Sequence, residues 1–233
     1  MDIGRAFAFV FDDPAWVKKV LIGGLITLAG FIIPLIPGFI VYGYMLEIMR
    51  RVYLGESEGL PEWDDIGGYL GRGFFLTVAL FVWLLPALLL SGCAVTAIIL
   101  AGGSSENDAV AGLSGLVAFC LFGAIFLVIL IWAVAFLPVV AARYAVERRF
   151  GTMFAFGEIF AEVRRAGVGM LLLLLLIVLI ASFIGQLGII ACFIGVVFTS
   201  FYSNLVIAHG AGQVYRRARG MDAAATLPAS PAF

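Results

Sequence analysis

The chain has 233 residues, 64% of them hydrophobic and only 12% charged, with a mean hydropathy of +1.15. Soluble domains run at about 45–50% apolar and about 25% charged, which excludes a water-soluble globular fold; disorder is excluded too, since it needs low hydrophobicity. Fourteen Lys and Arg against fifteen Asp and Glu leave a net charge of −1 and no overall basic balance to suit nucleic acid.

Four stretches carry no Asp, Glu, Lys or Arg, and together they make up more than half of the chain. A bilayer crossing takes about 20 apolar residues, and within lipid every backbone amide must be paired inside its own segment, so each stretch is read as helical. Met1–Trp16 lacks a basic region followed by an apolar core, so no cleavable signal is expected there. Val20–Leu46 contains Pro34-Leu35-Ile36-Pro37-Gly38. Two prolines three apart break a helix, which predicts two short crossings near 17–33 and 37–53, short enough to be re-entrant. A single tilted helix over residues 20–46 is the alternative.

Phe74–Ser105 and Ala109–Ala142 each predict one crossing, near 74–101 and 110–142, kinked at Pro86 and Pro138 and joined by the polar loop Gly102–Asp108. Ala166–Ala208 would be roughly 65 Å as one helix, too long for one crossing. Ile184-Gly185-Gln186-Leu187-Gly188 reads as its tight turn, giving crossings near 167–184 and 188–210. The fold class expected is therefore all-α: a polytopic helical membrane protein with six transmembrane segments in three hairpins. Residues 1–219 form a single integral membrane domain, and residues 220–233, rich in Ala and Pro, a short flexible cytoplasmic tail. With the N-terminus inside, every Lys and Arg falls on one face, as the positive-inside rule asks, so a cytoplasmic membrane with both termini cytoplasmic is expected.

The segments between crossings carry their own pattern. Thr152–Arg165 spaces Met153, Phe156, Ile159, Phe160 and Val163 as the apolar face of a surface helix, with Glu158, Glu162, Arg164 and Arg165 elsewhere. Phe154-Ala155-Phe156 before Arg164-Arg165 echoes Phe7-Ala8-Phe9 before Lys18-Lys19, and Pro61-Glu62-Trp63-Asp64-Asp65 leads a third version ahead of Arg72. Val52-Tyr53 and Val214-Tyr215 match after the second and sixth crossings. Three copies of one unit are expected, each an interfacial amphipathic segment followed by a hairpin.

The opening Phe7–Gly24, then Pro34–Gly38, Gly43-Tyr44 with Arg50-Arg51, and Leu60–Asp65 together resemble an uncharacterised prokaryotic membrane family, domain of unknown function 4013. The resemblance implies a multi-pass prokaryotic membrane protein. It brings no activity, cofactor or catalytic residue.

Chemistry-bearing residues are few. His209 is the only histidine, with no Asp or Glu within a turn or two and no metal-ligand spacing around it. Cys93, Cys120 and Cys192 are scattered through apolar stretches and read as small hydrophobes. Glu47, three and four residues from Arg50 and Arg51, reads as a snorkelling ion pair. No catalytic, cofactor or metal site is expected, and hence no enzyme.

The sixth crossing is the most polar. Ser200, Ser203 and Asn204 share one side, Tyr202, His209 and Gln213 another. Such groups bond neighbouring helices or, with Gln186 and Tyr42 or Tyr44, line a polar pocket. Leu60, Pro61, Glu62, Trp63, Asp64 and Asp65 form a candidate partner-docking loop. Gly67-x-x-x-Gly71, Ala111-x-x-x-Gly115 and Ala208-x-x-x-Gly212 offer small faces for close helix approach. The function expected is a structural, self-assembling or accessory subunit of a membrane complex, whose partners are membrane lipid and copies of itself or other membrane subunits. A transporter or channel for a neutral or lipid-like substrate is the alternative.

Overall fold

The computed structural model describes residues 2–56, 59–102, 108–191 and 194–221. The loop expected at Gly102–Asp108, Cys192 and the tail beyond Met221 lie largely or wholly outside the described residues. What is described is almost entirely helical, with no strand. In chain order the helices are α1 (Ile3–Ala8), α2 (Trp16–Ala29), α3 (Ile36–Leu54), α4 (Ile66–Gly102), α5 (Asp108–Glu147), α6 (Phe156–Ala166), α7 (Val168–Leu187) and α8 (Ile194–Ala218). Three of them contain stretches long and apolar enough to cross a membrane: Ile66–Cys93, Gly115–Glu147 and Val168–Leu187.

Local chemistry accounts for most boundaries. Asp2 caps α1 by accepting the Arg5 amide, and Asp65 caps α4 by accepting the Gly68 amide at 3.0 Å. Between α2 and α3 the chain turns at residues 30–35, where Leu35 takes φ +77° between the two prolines, so the expected break in the first apolar stretch is present. Gly55, with φ +83°, ends α3 in a left-handed cap. Gly167, with φ +81°, is the single residue between α6 and α7 and turns a surface helix into a long apolar one.

Three expectations are corrected. The helix of α7 continues through Ile184–Leu187, and the chain turns later, through a 3-10 segment at Gly188–Ala191. Gly185 and Gly188 are in fact packing positions: a Cβ on Gly185 would meet Ser203 Oγ at 3.0 Å, and one on Gly188 would meet Thr199 Oγ1 at 2.2 Å. The segment before α4 forms no surface helix. The Leu60 amide and the carbonyls of Leu60, Pro61 and Glu62 bond to Asp13, Lys19, Tyr44 and Tyr69 side chains, so this backbone is satisfied without helical bonds. Third, α6 buries Ile159, Glu162 and Ala166, while Phe156 and Phe160 point outward.

The core gathers around α3 and α8, which pack on each other and are flanked by α2, α4, α5, α6 and α7. The matched Val-Tyr pairs meet there, with the Tyr53 and Tyr215 rings 5.3 Å apart and Val52 and Val214 both buried. Gly23 and Gly24 of α2 lie under the Phe201 and Phe198 rings of α8. Among the described residues, buried positions on α4 stop at Trp83 and on α5 begin at Val139. Beyond Trp83, α4 runs on for about 28 Å at 1.5 Å per residue. Along this arm Leu88, Leu89, Leu90, Phe119, Phe122 and Phe126 are exposed.

Candidate functional site

A latch of hydrogen bonds and ion pairs joins the α1–α2 elbow to the loop before α4. Asp13 is buried, and its carboxylate accepts from Lys19 Nζ at 2.7 Å, the Leu60 amide at 2.8 Å and the Ala15 amide at 2.7 Å. Lys19, also buried, donates to the Leu60 carbonyl at 2.8 Å and pairs with Glu62 at 2.6 Å. Burial opposes the Asp13 charge, but the Lys19 ammonium and the two amides outweigh it and hold the carboxyl below its ordinary pKa. Trp63 stacks on Tyr44 with ring centroids 4.1 Å apart, and its indole N–H donates to the Lys19 carbonyl at 3.1 Å. Of the candidate docking loop, then, Leu60 and Pro61 are buried, Trp63 is half-buried against α3, and Asp65 serves α4 and pairs with Arg72 at 3.0 Å. Asp64 is exposed, as is the Glu62 carboxylate that faces Lys19.

The polar side chains of α8 divide between two neighbours. Toward α7, Ser203 donates to the Ala181 carbonyl and Thr199 to that of Gly185 at 2.8 Å. Toward α1, the Tyr202 hydroxyl donates to the Phe7 carbonyl at 2.8 Å, and His209 stacks on Phe9 with ring centroids 4.5 Å apart. Gln213 joins His209 Nδ1 at 3.1 Å to Asp2, whose amide it accepts at 2.9 Å. His209 is buried and its Nε2 has no partner among the described residues. Ser200 and Asn204 are half-buried, and Gln186 is exposed. Gln186, Tyr42 and the polar face of α8 are therefore not brought together in one pocket, since Tyr42 is also exposed and Tyr44 is spent on the Pro61 carbonyl.

A second ionic cluster joins α5, α6 and the end of α8. Arg143 and Glu162 are buried and 3.0 Å apart, Glu162 also meets Arg219 Nε at 3.0 Å, and Arg143 pairs with Glu158. Glu147 lies 3.5 Å from Arg143. Burial raises the Glu162 carboxyl above its ordinary pKa in spite of both guanidiniums. Glu47 does pair with Arg50, at 3.6 Å, and more closely with Arg148 at 2.7 Å. The sequence reading singled out neither the Asp13–Lys19 latch nor Arg143, Glu162 and Arg219. The signal for Glu162 was present: it falls three residues after Ile159 and four before Ala166, on the face that is buried.

An apolar cleft of about 630 Å³ lies between α4 and α5. Trp83, Pro86, Ala87 and Leu90 form one wall, and Ala124, Ile125, Ile129 and Trp132 the other. Trp83 anchors its inner end by donating to the Met153 carbonyl at 2.8 Å. Cys93 and Cys120 are exposed on the same arm. Among the described residues no three His, Cys, Asp or Glu side chains converge as a metal site would need.

The family described as protein of unknown function DUF4013 matches residues 26–194, most of the chain. The chain belongs to that family. It is also 28% identical over 196 residues to an uncharacterised protein of Methanocaldococcus jannaschii, a match covering 80% of this chain and 63% of that relative. The chain thus spans less than two thirds of the length of the curated relative it matches. No solved structure matches it.

Proposed function

We propose that this protein is a non-enzymatic component of a prokaryotic cytoplasmic membrane, with both termini on the cytoplasmic side, that serves as a structural or accessory subunit. The observation that carries this reading is the α4–α5 arm, an apolar helix pair of about one hydrocarbon thickness in which no described side chain between Trp83 and the end of α4, or before Val139 on α5, is buried. Two features support it. Three polar side chains of α8, Thr199, Tyr202 and Ser203, are bonded to backbone carbonyls of α7 and α1 rather than turned into a shared path. The ionisable groups cluster instead at the helix ends, in the Asp13 and Glu162 networks.

Assembly through the arm, with further copies or with other membrane subunits, accounts for this division better than passage of a solute. Native mass spectrometry of protein extracted in mild detergent tests it. A defined oligomer or a stoichiometric membrane subunit is expected, and loss of that species on placing Glu at Phe119 or Phe126. A dispersed monomer at every detergent and lipid ratio would refute the reading.

A further inference from the structure

We propose that the α4–α5 cleft holds one hydrocarbon chain of an anionic phospholipid, with the lipid phosphate at Arg164. The site rests on the membrane reading above and adds a ligand to it.

Four observations converge. First, the cleft is built rather than incidental. Pro86, which cannot donate to the Val82 carbonyl, and the small residues Ala87 and Ala124 line facing walls of the cleft, so no bulky side chain of either helix fills it at those positions. Its volume falls within the roughly 300–1,000 Å³ of small-molecule sites, and every lining residue is apolar or aromatic, which suits an alkyl chain and nothing charged.

Second, an aromatic track leads out of it. Trp83 and Trp132 lie 5.1 Å apart at the inner end, Phe136 follows 5.8 Å from Trp132, and Phe160 of α6 stacks on Phe136 at 6.4 Å. Third, the track ends on a cation: the Arg164 guanidinium sits 6.0 Å over the Phe160 ring. Fourth, the cation at the end of the track has no carboxylate partner among the described residues, which leaves it able to meet an anion. Arg72, Arg143, Arg148 and Arg219 each meet a carboxylate, whereas Arg164 and its neighbour Arg165 are exposed and make no ion pair among the described residues. Tryptophans at the junction of an apolar slot and a basic end match the chemistry of an interfacial amphiphile.

Reconstitution into nanodiscs containing equal phosphatidylglycerol and phosphatidylcholine, followed by gentle extraction and native mass spectrometry, tests the site. The expected result is one retained phosphatidylglycerol per chain. Ala124→Phe and, independently, Ala87→Leu fill the cleft and are expected to cut retention at least tenfold. Arg164→Gln is expected to leave a lipid bound but remove the preference for phosphatidylglycerol. Retention unchanged in a filled variant that still folds, or no headgroup preference in the natural protein, overturns the proposal. Protein recovered outside the membrane fraction would instead sink the membrane reading, so the two failures are distinguishable.

Discussion

Gly43 and Gly73 seat α3 and α4 against each other reciprocally. A Cβ at Gly43 would lie 1.9 Å from the Tyr69 carbonyl oxygen, and one at Gly73 would lie 1.7 Å from that of Phe39. Both clashes are with backbone, which no rotamer change relieves. Gly43→Ala or Gly73→Ala is therefore expected to cost about 1–3 kcal/mol or more by forcing the helices apart. Gly67 and Gly71, which have nothing within 4 Å, are the contrast: alanine there is expected to be neutral or to stabilise by up to about 1 kcal/mol. Thermal unfolding of the four variants in one detergent decides it, and equal losses at all four would show that the crossing is not the cause.

The Asp13–Lys19 pair makes a separate prediction. Removing Asp13 strands the Leu60 amide and leaves the buried Lys19 with only the exposed Glu62 carboxylate as counter-charge, so Asp13→Ala is expected to cost about 2–3 kcal/mol. Asp13→Ala combined with Lys19→Met is expected to recover part of that loss. Because the folded carboxyl titrates below its ordinary value, its contribution is complete above the unfolded pKa and fades as the pH falls below about 4. A double variant no more stable than the single one would show that the ammonium is not the stranded group.

These two results mark how much of the fold was legible in the sequence. Charge-free runs and paired prolines marked most of the long helices and the break between α2 and α3, because each acts locally. Gly67-x-x-x-Gly71 had the right spacing yet faces open space, while the crossing uses Gly43 and Gly73, 30 residues apart in different helices. The latch was hidden for the same reason. Asp13 and Leu60 are brought together only once α2 and α3 have folded back, and no spacing rule reaches across that distance. Glu162 looked like solvated polarity because its two guanidinium partners come from α5 and the end of α8.

Gln213 is expected to control the N-terminal helix. Its side-chain amide bonds both the amide and the carbonyl of Asp2, at 2.9 and 3.2 Å, besides His209. Losing two to three such bonds costs about 1–2 kcal/mol locally. Gln213→Ala should thus raise hydrogen exchange of the α1 amides roughly 5- to 30-fold, with the α3 and α8 amides unchanged. Uniform acceleration across all helices would mean that Gln213 supports the whole bundle.

Glu162 should give the opposite pH dependence to Asp13. Its folded pKa is raised, so between its ordinary value and the folded one the native state binds more protons than the unfolded chain. Stability then falls as the pH rises through that interval and is regained on acidification, because the proton removes a buried charge. The window lies above that of Asp13, so the two effects do not overlap. Glu162→Gln keeps a carbonyl acceptor for Arg143 or Arg219 but cannot titrate. The melting temperature of the natural protein is expected to rise as the pH falls toward the ordinary carboxylate range, and that of the Gln variant to follow a flatter line. Parallel lines would place the proton elsewhere, and a steeper line for the variant would mean that the two guanidiniums, rather than burial, dominate the carboxylate.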